Sequence, residues 1–129
     1  VGVRTESSAK EDAFLECEVL SLPRPNEYQV RDVDPDANDP PFVVKDHNVI
    51  PLPPADYPEI PVGEMVFAGY PGYTALYKAT IRRGLARNPA TKLLCYEVLF
   101  EGPHEKPTLV PKDKVTVFDE LKTRQPWTE

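Results

Sequence analysis

Tyr70, Tyr73 and Tyr77 fall inside eight residues of one stretch, residues 69–79, which runs Gly-Tyr-Pro-Gly-Tyr-Thr-Ala-Leu-Tyr-Lys-Ala. The order reads as the end of a strand, a tight turn rich in Gly and Pro, and the start of the next strand. Rings gathered at the mouth of a small β-barrel present electron-rich faces that hold a methylated ammonium by cation–π attraction. The bland alternative is that these tyrosines are ordinary β-formers packing a sheet, and for the stretch taken alone that is the commoner case.

A second set of chemical groups lies earlier. Asp32, Asp34 and Asp36 open like a calcium loop, but Ala37 stands where such a loop needs Gly and Val43 where it needs a bidentate Glu. The plain reading of these residues, with Asp39, is a solvated turn. Paired carboxylates can also do acid–base work, yet the chain shows no Ser/His or Cys/His arrangement, no phosphate loop and no metal set, so an enzyme is not expected. His47 and His104 have no ligand-spaced partners and read as loop residues. Cys17 and Cys95 each sit inside an apolar strand pattern and read as buried free thiols. No cofactor and no metal are implied.

The elements that must position these residues are strands. Proline makes up 16 of 129 residues, roughly 12% against a usual level near 5%, and no long stretch keeps a helical period, so the chain is expected to be all-β. It contains no unbroken apolar run of membrane length or signal type, and a soluble, intracellular protein with no membrane partner is expected. The net charge of −6 argues against direct nucleic-acid binding. Residues 1–50 hold 11 acids against 5 bases, whereas residues 62–129 hold 8 against 10. Acidity is concentrated in the first part of the chain.

Residues 1–5 read as a first strand, followed by a polar loop through Asp12. Leu15, Cys17 and Val19 alternate with Glu16 and Glu18, a half-buried strand. Residues 22–26 read as a turn, Tyr28 and Val30 mark the next strand, and residues 42–44 another. Residues 51–61 contain five prolines and read as a stiff connector. A second series then begins with strands at 65–69, 76–82 and 93–101, a basic loop at 83–92, and short strands at 108–110 and 115–118. The strand at 93–101 is apolar on both faces, which predicts two packing partners and a place where two units meet. The tail at 122–129, with Trp127, has no pattern.

The second series repeats the first. Ala13-Phe14-Leu15-Glu16-Cys17-Glu18-Val19 aligns with Ala75-Leu76-Tyr77-Lys78-Ala79-Thr80-Ile81, Tyr28-Gln29-Val30 with Tyr96-Glu97-Val98, and Phe42-Val43-Val44-Lys45-Asp46 with Leu109-Val110-Pro111-Lys112-Asp113. Each unit then has about five short strands, the size of a small SH3-like barrel, and two packed together would share a core. The expected division is 1–50, a connector at 51–61, 62–121 and a tail at 122–129. Tyr28 and Tyr96 recur and look like scaffold. Tyr77 falls opposite Leu15, Phe100 opposite Asp32, and Tyr70 loosely opposite Thr5. Residues that differ between matching units are the better candidates for function.

Asp32-Val33-Asp34, Val49-Ile50-Pro51-Leu52-Pro53, Tyr70-Pro71, Leu76-Tyr77-Lys78-Ala79 and Val98-Leu99-Phe100-Glu101, in this order and spacing, closely resemble the tandem Tudor region of the SAGA-associated factor 29 family. The resemblance covers residues 1–118. It implies two Tudor barrels packed side by side that read the N-terminal tail of histone H3 when its fourth residue is di- or trimethyl-lysine. It also implies a nuclear subunit of a histone acetyltransferase coactivator complex, with other subunits of that complex as partners. Carried over, the methyl-lysine cage falls on Tyr70, Tyr77 and Phe100, and the acidic pair for the histone's N-terminal amine on Asp32 and Asp34. Gly102 stands where the family carries an acidic residue, which bears on the preference among methylation states. Gly72 and Tyr73 are given no role.

The physics suits these assignments. A trimethylammonium donates no hydrogen bond and is poorly hydrated, so ring faces compete well with water, each ring contributing roughly 0.5–2 kcal/mol. Asp32 and Asp34 face one side if the strand continues through them, and two carboxylates suit an amine with three donors. An N-terminus and a lysine three residues on need sites about 10 Å apart on an extended peptide. The competing expectation from another class is an SH3-like scaffold module that binds unmodified peptides or partner subunits.

Overall fold

The computed structural model describes residues 1–5, 8–9, 13–36, 40–103 and 105–117. Ala37, Asp39, His104, Phe118 and the tail with Trp127 lie outside the described residues. Among those described, the chain is all-β: β1 (Gly2–Val3), β2 (Phe14–Arg24), β3 (Glu27–Asp32), β4 (Phe42–Lys45), β5 (Val49–Ile50), β6 (Met65–Gly69), β7 (Ala75–Arg87), β8 (Leu94–Phe100), β9 (Thr108–Pro111) and β10 (Val115–Val117). One-turn 3-10 helices at Asp46–Asn48 and Lys112–Lys114 precede β5 and β10.

Two compact units emerge. The first holds Val1–Pro51 with Thr74–Leu76, and the second holds Leu52–Tyr73 with Tyr77–Phe118. In the first, antiparallel pairings give the order β5-β1-β2-β3-β4. In the second they give β10-β6-β7-β8-β9. The order is the same, with a 3-10 turn before the last strand in each. The repeat read from residue types is a repeat of topology.

Register makes the match finer. Cys17 pairs with Asp32 and Val19 with Val30, while Ala79 pairs with Phe100 and Ile81 with Val98. Phe100 therefore occupies the ladder position that Asp32 occupies in the first unit. The fourth strands correct the alignment by one residue. Tyr28 lies opposite Val44 and Tyr96 opposite Val110, so Val44 matches Val110 and Phe42 matches Thr108, not Leu109. A slip of one would turn every side chain to the other face, and the faces agree in the corrected register, with Val43 and Leu109 both exposed.

Two strands run longer than their residue types suggest. β2 continues through Pro23 to Arg24, because register shifts between Val19 and Ser21 and between Ser21 and Arg24 leave the proline out of the ladder. The turn is only Pro25–Asn26, with Asn26 at φ 63°. β7 likewise extends to Arg87 through shifts at the equivalent places, Ile81/Arg83 and Arg83/Ala86. The basic loop is therefore shorter than residues 83–92. On β8, Tyr96, Val98 and Phe100 are buried on one face and Cys95 on the other, whereas Leu93 and Leu94 at the start of the strand are exposed.

The first core gathers Val3, Cys17, Val30 and Val49, with Leu15, Val19 and Phe42 packed against it. The second gathers Ile60, Val66, Ile81, Tyr96, Val98 and Phe100 among others. Ile60 comes from the proline-rich segment read as a connector. It is 3% exposed, and its N–H donates to the Tyr96 hydroxyl at 2.8 Å within that core. The end of the segment is thus part of the second unit.

Candidate functional site

The turn between β6 and β7 is set by its two central residues. Tyr73 N–H donates to the Tyr70 carbonyl at 3.0 Å, across Pro71 and Gly72. Gly72 has φ 86°, so Pro followed by a positive-φ Gly carries the signature of a type II turn. Such a turn brings its end residues together. The Tyr70 and Tyr73 rings meet edge-on with centroids 5.6 Å apart.

Tyr77 and Phe100 reach the same place by strand pairing. Phe100 lies opposite Ala79, and Tyr77, two residues before Ala79, points to the same face. Ala79 is small and fully buried, so no large side chain separates the two aromatics. Tyr70 lies 6.1 Å from Tyr77, nearly perpendicular at 83°, and 4.8 Å from Phe100, tilted by 49°. Phe100 is 3% exposed and belongs to the core of the second unit, with Tyr70 and Tyr77 packed against that core. The rings line a cavity of about 350 Å³ together with Glu101 and Glu105.

The sequence-derived set of Tyr70, Tyr77 and Phe100 is thus brought together, and Tyr73, assigned no role from the sequence, lines the same cavity with 68% of its surface exposed. The Pro-Gly pair was the signal that returns Tyr73 to Tyr70. Glu105 was missed because it lies five positions beyond Phe100. Gly102, at φ 144°, reverses the chain after β8, and the Tyr70 hydroxyl then donates to Glu105 Oε2 at 3.4 Å. The negative charge of Glu105, with some help from desolvation, raises the pKa of Tyr70 above the ordinary tyrosine value. A pocket with aromatic faces and two carboxylates suits a cation carrying apolar substituents.

Asp32 and Asp34 lie at the exit of β3 in the first unit. The strand ends at Asp32, so the alternation that would put both carboxylates on one side does not continue through Asp34. Asp34 N–H donates to Asp32 Oδ1 and Asp36 N–H to Asp34 Oδ1, each at 2.9 Å. These are successive Asx turns, in which a short side chain replaces a ladder partner. Each carboxylate keeps capacity for further donors. Neither Asp is fully buried.

Among the described residues, no group of three His, Cys, Asp or Glu side chains is placed to hold a metal ion, and no helix is long and apolar enough to cross a membrane. Burial pushes the Cys17 thiol up to about 12, with Asp32 adding to the shift, and burial also raises Cys95. Both are free thiols.

Comparison with solved structures finds the crystal structure of Arabidopsis thaliana AGDP1 AGD34, at 13% identity and a TM-score of 0.53, covering 91% of this chain and 77% of that one. At that identity the likeness concerns the fold. No match is found among curated proteins. The sequence model of the family described as SGF29 tudor-like domain matches residues 1–119. With the duplicated five-stranded order and the aromatic pocket, that match means that the chain belongs to the SGF29 tudor-like domain family, a histone-reader module of the Tudor type.

Proposed function

We propose that this module binds the N-terminal tail of histone H3 di- or trimethylated on its fourth residue. Tyr70, Tyr77 and Phe100 in the second Tudor barrel form the methyl-lysine cage, and Asp32 and Asp34 in the first hold the peptide's N-terminal amine. The barrels correspond to residues 1–50 and 62–121, and the segment 51–61 between them adds Ile60 to the core of the second. The module acts in the nucleus as part of a histone acetyltransferase coactivator complex.

The observation that carries this reading is the meeting of three aromatic rings, with centroids 4.8 and 6.1 Å from Tyr70, around a cavity that also holds carboxylates. Rings packed only to fill a barrel leave no such space. The contrast between units points the same way, because the ladder position that holds Phe100 holds Asp32 in the first unit.

Titrating H3 tail peptides that differ only in methylation of the fourth residue tests the proposal. Tighter binding of the methylated peptides is expected, and equal affinity across the series would sink it in favour of a scaffold role. Acetylating the peptide's N-terminus should weaken binding, since it removes the charge assigned to Asp32 and Asp34. Unchanged affinity after acetylation would return that pair to a purely local role in the β3 exit turn.

A further inference from the structure

We propose that Glu105 sets the preference of the aromatic site among methylated amines, favouring a dimethylammonium, which keeps one N–H, over a trimethylammonium, which has none. This inference rests on the methyl-lysine reading above and assigns a specificity role within it.

The rings by themselves respond to positive charge and to methyl surface, and on that basis a fully methylated ammonium is a good guest. A carboxylate beside them adds a requirement the rings do not impose. It accepts hydrogen bonds, and one accepted from a cationic N–H is about twice as strong as a neutral one. Glu105 is the acid so placed. It lines the same cavity as the aromatic residues, is half-buried, and is anchored through Oε2 to the hydroxyl of Tyr70. A carboxylate has more acceptor sites than that one contact uses, so an incoming N–H can be served without releasing Tyr70.

Glu101, the other acid of the lining, is exposed. Its N–H donates to the Lys78 carbonyl at 3.3 Å, which fixes its backbone at the barrel edge.

The chain is built to bring Glu105 back. Gly102 has φ 144°, a conformation that side chains strongly resist. Glu105 N–H closes the turn on the Gly102 carbonyl at 3.5 Å. A Cβ at position 102 would meet Glu105 Cγ at 3.2 Å. The glycine therefore leaves room for the Glu105 side chain, which carries negative charge to the cavity. The raised titration of Tyr70, caused first by the Glu105 charge, agrees with a carboxylate held close to the rings.

The test is a titration of the intact module with H3 tail peptides carrying no methyl, one, two or three methyls on the fourth residue, repeated for Glu105→Gln and Tyr70→Phe. The unaltered protein is expected to favour dimethyl over trimethyl by several-fold, up to about tenfold, the scale of a charge-assisted hydrogen bond after its desolvation cost. Glu105→Gln should remove that preference by weakening the dimethyl peptide more than the trimethyl one. Tyr70→Phe, which keeps the ring but releases the anchor of Glu105, should lower the same ratio by a smaller factor. A dimethyl preference that survives Glu105→Gln overturns the inference, as does an equal loss for both peptides. If methylated peptides bind better than unmethylated ones but trimethyl is preferred throughout, the specificity role fails and the cage stands. If methylation makes no difference, both fail together.

Discussion

Tyr77 is the residue at which the cage reading is most exposed to test. It stands at the position matched by Leu15 in the first unit, so an aliphatic side chain meets the packing demand there in a barrel of the same strand order. Tyr77→Ala is expected to weaken a trimethyl-lysine peptide by about three- to thirtyfold, the worth of one ring at a partly desolvated site. The unmethylated peptide should be nearly unaffected. Calorimetric titration of both peptides reads the difference, and an equal loss would place Tyr77 in the fold alone.

At this scale the sequence was informative where identity and repeat position coincide, as at Tyr70, Tyr77 and Phe100. It named Tyr73 among the rings but gave it no role, and it was silent on Glu105; both reach the cavity through backbone reversals at Gly72 and Gly102. The distance between two side chains across a turn depends on φ values that residue type only partly dictates.

Among the elements, the buried contact between the proline-rich segment and β8 has a measurable consequence. The Ile60 N–H has its partner in the Tyr96 hydroxyl, inside the core. Tyr96→Phe keeps the ring and removes the acceptor, leaving a buried donor unpaired at a cost of about 1–3 kcal/mol. Urea unfolding should show that loss as a lower midpoint with an unchanged slope. The matching Tyr28 instead donates to Asp46 at an exposed site, and Tyr28→Phe should cost much less.

The strands themselves were legible because alternation such as Leu15, Cys17 and Val19 survives in a half-buried sheet. The ends of β2 and β7 were not, because a bulge admits residues that residue type excludes. Pro23 looks like a terminator until the register shift around it is seen. Ile60 was hidden for a related reason, since a lone apolar residue among prolines has no period to reveal which way it points.

For the whole molecule, the buried thiol of Cys17 ties stability to alkaline pH. Its pKa is about 12 in the folded chain against an ordinary thiol value of 9.0. Above pH 9 the unfolded chain therefore releases a proton that the folded chain retains, and stability falls as pH rises from about 9 towards 12. Below pH 9 this group contributes no pH dependence. Comparing unfolding midpoints of the native chain and Cys17→Ala between pH 8 and pH 11 isolates the effect. The native chain should lose more across the interval, and parallel curves would contradict the shift.

The common register of the two units bears on how such a module changes. Strand pairing around Asp32 and Phe100 is the same in both, while the links between strands differ in length, the segment that follows among them. Residues 33–41 separate β3 from β4, whereas residues 101–107 separate β8 from β9, nine positions against seven. That segment holds the Asx turns in one unit and Gly102 with Glu105 in the other. The barrel frame thus behaves as a socket with exchangeable parts: one strand-end residue with the loop behind it, and the turn into β7 that carries Tyr70. Duplication followed by editing at these places, with Tyr77 where the first unit has Leu15, would let one ancestral frame serve two different ligand chemistries without rebuilding either core.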